Sequence, residues 1–461
     1  MTEILKKIKL GFYGGVETVT GANFLLTDEA GEKPARIMVD CGLIQGSHEQ
    51  EKDNYLDFAY DPKSIDVVFI THAHMDHIGR LPRLVRNGFR GKIYSTAPTK
   101  EISTIAFRDG LSLIEREMKR EDLPIFYESP DIEQTLAQWE TLDYHQPVEV
   151  GDFSIVLRDS GHILGAAMVE FTHAGKKIVF TGDLGNSPSP LMPDTEKVTD
   201  ASYIIMESVY GDRNHEDRSE RHNQLEDIIE QTLNRGGTLL IPTFSIEKTQ
   251  ELLFEIENMV EESAIPLVPV FLDSPMAIRV TEVYKKYQSY FNKSARAIIK
   301  EGDGIFKFPQ FHQTLETEES KAIFHANPRK IIMAGSGMSN GGRIIHHEKI
   351  YLPDPKNTLL LAGYQSVGTM GRIIQDGAKS VRILGEEVLI NARVASISGY
   401  SAHKDSDGLF DFVKGTEDTV KKVFVTMGEP KASMFLVQRI RDHMGVAAYT
   451  PKLGEEIEIV L

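Results

Sequence analysis

The chain has 461 residues, of which 41% are hydrophobic and 26% charged. This is an ordinary globular composition, which excludes a disordered or fibrous polymer and, at roughly 150 residues per domain, allows two or three domains. Its 51 Lys and Arg against 68 Asp and Glu leave a net charge of −17, which disfavours diffuse binding to nucleic acid or anionic lipid but not a local cleft lined by metal ions and a few cations. The single cysteine, Cys41, excludes an internal disulfide. There is no long apolar leader and no run near the roughly 20 apolar residues of a membrane span, so the expected compartment is the cytoplasm.

In chain order, short β-rich runs that end on a polar residue are expected as strands at 36–40 and 66–71, with helices at 78–86 and 98–119. Strands at 177–183 and 203–207 and a helix at 219–234 follow. The texture then changes to strand-then-helix units with strands at 238–242, 268–273, 330–335 and 358–363. Ser, Thr or Gly stands at each helix entrance, where backbone N–H groups are open to phosphate. Such alternation is an α/β pattern with a parallel sheet in the second domain. From about 388 the chain returns to strand, helix, strand, helix and is expected to complete the first domain.

The densest chemical signal is Thr71-His72-Ala73-His74-Met75-Asp76-His77, four possible ligands in six residues between an apolar strand and a helix. Imidazole and carboxylate suit zinc, and an open coordination position would make the site catalytic. Asp40, His162 in Ser-Gly-His-Ile-Leu-Gly and Asp183 in Thr-Gly-Asp-Leu-Gly also follow β-type sequence among glycines. Singly, each reads as a turn Asp or a core His; together they read as a metal centre. Cys41, next to Asp40, reads as a small packed residue.

In this order, Asp40, His-x-His-x-Asp-His, Gly-His162 and Gly-Asp183 resemble the metallo-β-lactamase superfamily. Glu207 in Met-Glu-Ser-Val-Tyr-Gly and His403 in Ser401-Ala-His-Lys-Asp resemble its β-CASP subgroup of nucleic-acid-processing nucleases, which includes the pre-mRNA 3′-end endonuclease, its archaeal relatives and RNase J. The stretches from Pro242, Asp273, Gly335 and Gly363 carry the resemblance through the second domain. The resemblance implies an αββα sandwich over 1–208, an inserted parallel-sheet α/β domain over 209–387 and a C-terminal completion over 388–461. Neither a KH extension nor a long C-terminal domain of the RNase J kind is expected.

The resemblance also implies two metal ions, Zn2+ or alternatively Mn2+. One would be held by His72, His74, His162 and Asp183, the other by Asp76, His77 and the shared Asp183, with Asp40 orienting a ligand. Asp76, Glu207 and His403 are then the catalytic residues: Asp76 accepts a proton from the attacking water, His403 protonates the leaving oxygen, and Glu207 orients His403. Ser336 and Gly337, with Thr369, Arg372 and Ser401, are expected to bind substrate, the second domain closing a slot for a single strand. Arg213, His215 and Tyr364 are weaker candidates for that slot, and His346 and His347 read as helix-face residues.

Met427 stands where the family places its last ligand, a His before Gly-Glu. A thioether is a soft ligand ill suited to zinc or manganese, so the second site should be weakened unless water or Glu429 fills the place. The expected activity is hydrolysis of single-stranded RNA, endonucleolytic or from a 5′ end, with DNA used in the wider subgroup and a homodimer as a family-level option. The rivals are a non-catalytic RNA-binding scaffold and a small-molecule thioesterase or lactamase. The long second domain and Ser-Ala-His403 disfavour the thioesterase or lactamase reading.

Overall fold

The computed structural model describes residues 7–29, 31–46, 48–215, 220–302, 304–366 and 368–461. They form two compact units: one runs to Ser187 and continues through Met192–Asn214 and His403–Leu461, the other comprises Pro188–Leu191 and His215–Ala402.

The first unit is built on two seven-stranded mixed sheets. One is ordered Glu455–Val460, Lys7–Gly14, Asn23–Asp28, Ala35–Val39, Val67–Phe69, Lys92–Ser95, Trp139–Thr141. The other runs Ala447–Tyr449, Lys422–Val425, Tyr203–Met206, Lys176–Phe180, Ala167–His173, Phe153–Asp159, Val148–Val150. Phe12, Phe24 and Phe69 of the first sheet share one buried cluster with Phe153, Phe171, Phe180 and Phe424 of the second. Phe69 meets Phe171 edge to face at 6.0 Å. Each such side chain contributes about 1.5–3 kcal/mol on burial, so this interior is the main cohesive element of the unit. Helices Ser406–Lys414 and Pro430–Met444 cover the outer face of the second sheet through Leu409, Val413, Leu436 and Ile440. Helix Ala97–Glu121 packs near the edge of the first, with Phe107 6.5 Å from Trp139. This is the expected αββα sandwich.

The helix expected at 78–86 is two pieces, Met75–Ile78 and Leu81–Arg86. Pro82 lies in the first turn of the second piece, the place where its missing N–H costs nothing, so the chain must restart a helix there. The helix expected at 219–234 is Arg221–Asn234; Ser219 lies outside the described residues.

The second unit carries a six-stranded sheet ordered Phe311–Gln313, Val270–Asp273, Lys330–Ala334, Thr238–Pro242, Thr358–Leu361, Arg393–Ser396, parallel at every pairing. The central strand Lys330–Ala334 is buried throughout, as a parallel strand covered on both faces must be. Strand Arg393–Ser396 pairs with Thr358–Leu361, and a hairpin joins Ser380–Ile383 to Glu386–Leu389. Both lie in this unit, so the chain returns to the first unit at His403 and not at 388, and leaves it after Asn214 and not at 209. The composition of 388–396 is strand-like for either sheet, which is why sequence could not assign it.

Candidate metal centre

The site begins where two parallel strands end side by side, with Val39 opposite Phe69. One residue on, Asp40 takes a φ of +62° and turns its carboxylate across to the neighbouring strand end. Its Oδ1 accepts the Thr71 N–H at 2.8 Å; its Oδ2 accepts the Thr71 hydroxyl at 2.8 Å and His77 Nδ1 at 2.7 Å. With that hydroxyl proton given to Asp40, Thr71 Oγ1 is left to accept from His72 Nδ1 at 3.0 Å. The network thus holds His72 and His77 as Nδ1–H tautomers whose Nε2 lone pairs face away from Asp40, as ligand-orienting carboxylates do in metal sites.

The loop after Asp40 is sewn to the short helix Met75–Ile78: Cys41 N–H donates to His77 C=O at 2.8 Å and Leu43 N–H to Met75 C=O at 2.9 Å. A Cβ on Gly42 would lie 1.5 Å from the Asp76 carbonyl oxygen, so only glycine allows this approach. Burial pushes the Cys41 thiol up to about 12, in keeping with a packed, protonated residue.

Four donor atoms converge in front of this scaffold. His72 Nε2 lies 3.1 Å from His74 Nδ1, His162 Nε2 lies 3.3 Å from His74 Nδ1, and Asp183 Oδ2 lies 3.4 Å from both His72 Nε2 and His162 Nε2. Metal–ligand bonds of about 2.0–2.1 Å place neighbouring donors roughly 3 Å or a little more apart, so these four distances, with all four donors within 4.8 Å of one another, suit a cation's coordination sphere. Burial holds the His74 and His162 imidazoles well below their ordinary pKa, in the neutral form that ligates. Burial alone would raise Asp183, but the neighbouring His77, His72 and His403 outweigh it and keep the carboxylate ionised.

A second feature points the same way. His77 Nε2 and Asp183 Oδ1 are buried, 3.3 Å apart, and neither has a hydrogen-bond partner. Facing each other this closely, they are an imidazole nitrogen and a carboxylate oxygen that a bound cation would take together as ligands. Asp76, half-buried on the same helix, has a carboxyl pKa raised by burial. The residues present therefore fit a metal centre.

His403 comes from the far end of the chain. Lys404 N–H donates to Leu184 C=O at 2.9 Å, and Lys404 Nζ to Gly185 C=O at 2.8 Å. Gly185 N–H reaches back to Ser160 C=O at 2.8 Å. A Cβ on Gly185 would meet the Gly161 carbonyl oxygen at 2.0 Å, so the loops bearing His162, Asp183 and His403 can meet only over a glycine. Glu207, 1% exposed, is fixed by the Leu184 N–H at 2.6 Å and holds His403 Nδ1 at 3.2 Å from each of its oxygens. Burial works against the His403 imidazolium, but Glu207 and Asp183 overcome it and raise the pKa to about 9.

The structure thus brings His72, His74, Asp76, His77, His162, Asp183, Asp40, Glu207 and His403 together in the first unit. The expected substrate residues lie in the second. There, the Ser336–Asn340 and 365–372 loops are tied by Gly371 N–H to Met338 C=O at 2.9 Å and Gln365 Nε2 to Gly337 C=O at 3.1 Å. Ser336 Oγ accepts the Asn340 N–H, and Thr369 Oγ1 caps helix Met370–Gln375 by accepting the Arg372 N–H. Arg372 Nε pairs with both carboxylate oxygens of Asp376 at 2.9 and 3.0 Å, so its guanidinium already serves its own helix. Ser401 is buried. Arg213 pairs with Asp212 and lies over the Tyr210 ring; Tyr364 is exposed and His346 is exposed on its helix. His347 is a buried helix residue bonded to Asp273 at 2.7 Å. Sequence reasoning missed the part played by Thr71; the available signal was a hydroxyl residue at the strand end directly before His72. Met427 is 2% exposed within the sandwich core, and Glu429 is exposed, so neither sits as a ligand.

Comparison with known proteins agrees with this geometry. Residues 30–192 match the metallo-beta-lactamase superfamily domain, residues 249–374 the Beta-Casp domain, and residues 387–451 the Zn-dependent metallo-hydrolase RNA specificity domain. The chain is 38% identical over 403 residues to Ribonuclease TTHA0252 of Thermus thermophilus, covering 87% of this chain and 90% of that protein. It is 32% identical to the transcription termination factor FttA of Methanosarcina mazei, over 94% of this chain and 69% of that one. It is 30% identical to an RNase J-like protein of Methanocaldococcus jannaschii, over 98% and 100% of the two chains. A crystal structure of an Enterococcus faecalis protein of unknown function shares the fold with a TM-score of 0.58 at 15% identity, over 98% of this chain and 100% of that one. Among the described residues no helix is long and apolar enough to cross a membrane.

Proposed function

Because the chain belongs to the β-CASP branch of the metallo-β-lactamase superfamily, we propose that it is a metal-dependent ribonuclease that cleaves phosphodiester bonds of single-stranded RNA internally. The observation that carries the reading is the donor quartet of His72, His74, His162 and Asp183, whose donor atoms all lie within 4.8 Å of one another, set beside a histidine held by a buried glutamate. Three nitrogens and one carboxylate oxygen favour zinc over manganese. Asp183 is shared with a second position at Asp76 and His77. When bound, the metal ions supply an acidified water and a clamp on the phosphate charge.

The chain's own residues do the rest. Asp40 and Thr71 fix the tautomers of His72 and His77, so that both present Nε2. Asp76 accepts the proton of the attacking water. Glu207 binds Nδ1 of His403, which aims Nε2 at the leaving oxygen and keeps the imidazolium available near neutral pH as a general acid. The relatives named ribonucleases support RNA as the substrate.

The test is cleavage of a 5′-labelled single-stranded RNA by the zinc-loaded protein beside Asp183→Ala. Internal cuts that vanish in the variant are expected. Release of labelled mononucleotide alone would make the enzyme a 5′ exonuclease, and an inert wild type in both zinc and manganese would leave an RNA-binding scaffold.

A further inference from the structure

Donors are divided unequally between the two positions. Among the described residues, the groups of three or more convergent donors are the quartet His72, His74, His162 and Asp183, and the trio Asp183, Glu207 and His403. His77 belongs to neither. The ion-pair partner of His77 Nε2 among the described residues is Asp183 Oδ1, at 3.3 Å.

Met427 lies close to His77. His77 and Met427 line one small buried cavity with Asp40, Thr181, Gly182 and Thr426. The methionine is committed elsewhere on three counts. It belongs to the sandwich core with Phe12, Phe24, Phe180 and Phe424. Its N–H donates to Gly15 C=O at 2.6 Å and its C=O accepts the Ser208 N–H at 3.2 Å. Its sulfur is lodged against Gly15, where a Cβ would come within 2.4 Å of it. Turning the thioether toward His77 would vacate a filled core site, which packing resists. Glu429, two residues on, is exposed and opens helix Pro430–Met444.

We infer that the chain holds one metal ion tightly at the quartet and a second, exchangeable one at Asp76, His77 and Asp183, with Met427 acting as core packing and not as a ligand. This rests on the metal-centre reading above but not on the substrate. Structural zinc sites are worth about 10–16 kcal/mol over about four ligands, so one ligand is worth on the order of 100-fold or more in affinity, and the two dissociation constants should differ by at least about that factor.

The experiment is a competition titration of chelator-stripped full-length protein with Zn2+ alone, with metal content read by mass spectrometry after gel filtration and no RNA present. One retained ion per chain is expected, with a second bound only at excess zinc. Met427→His should tighten the second step and leave the first alone, and Met427→Leu should change neither. Should Met427→His fail to fold, His77→Ala decides: it should abolish the weak step and spare the tight one. Two equally tight ions in the wild type, loss of the second ion in Met427→Leu, or an unchanged weak step in His77→Ala would each overturn the inference. A wild type inert on RNA that still shows one tight and one weak ion would remove the ribonuclease reading and leave this one standing.

Discussion

Thr71 shows how much of a metal site can rest on a residue that touches no metal. Its hydroxyl donates to Asp40 and accepts from His72, so one oxygen sets the direction of the proton on a ligand two steps from the carboxylate. Thr71→Val keeps the shape and removes the relay; zinc affinity at the quartet should fall about 10–100-fold, read by the same competition titration, while Thr71→Ser should restore it. At this scale the sequence was most legible where chemistry is dense. His72, His74, Asp76 and His77 announce themselves by spacing, and Asp40, His162 and Asp183 by recurring strand ends. What stayed illegible were side chains whose work depends on distant partners: Arg372 proved to be paired with Asp376 one turn on, and Thr369 to be a helix cap.

Elements deliver these residues, and some carry tensions of their own. Helix Ile344–Tyr351 puts His347 and Glu348 side by side in the core of the second unit. His347 is bonded to Asp273, which also accepts from Thr314, Ser320 and Arg343; burial would raise the Asp273 carboxyl, but these donors lower it to about 2. Among the described residues Glu348 accepts the Ser339 hydroxyl at 2.5 Å while its other oxygen has no hydrogen-bond partner, and burial pushes it up to about 8. Its folded-state pKa therefore lies above the unfolded value, the folded chain binds the extra proton, and this residue's contribution to stability is lost as pH rises through about 8. Denaturant midpoints measured from acid to alkaline pH should fall in the wild type more steeply than in Glu348→Gln, and the variant should be the more stable protein above that range; parallel curves would show that Glu348 is ionised in the fold. Strand and helix order in both units was readable from apolar runs and their endings, because a strand buried on both faces leaves a continuous signature. Strand Arg393–Ser396, half-exposed at a sheet edge, has no such signature, and its sheet could be assigned only by seeing its partner.

At the scale of the whole molecule, charge and chain order matter most. A net charge of −17 opposes a polyanion at long range, so few phosphate contacts can be spread over the surface. Binding of labelled single-stranded RNA to Asp183→Ala, followed by anisotropy, should therefore show a shallow salt dependence, with a log–log slope of magnitude below about 3, equivalent to some four neutralised phosphates. A steep slope would reveal a basic track that net charge conceals. The interrupted layout of the first unit also governs the order in which the protein acquires its parts. Asp183 completes the donor quartet before the chain enters the second unit in earnest at His215, whereas His403 is the first residue after the return. At about 5–20 residues per second, a ribosome needs on the order of 10–40 s to travel from Asp183 to His403. The strand Glu455–Val460 that pairs with Lys7–Gly14 emerges later still. A nascent chain thus holds all four residues of the donor quartet while the whole second unit is still to be made, and well before it holds His403.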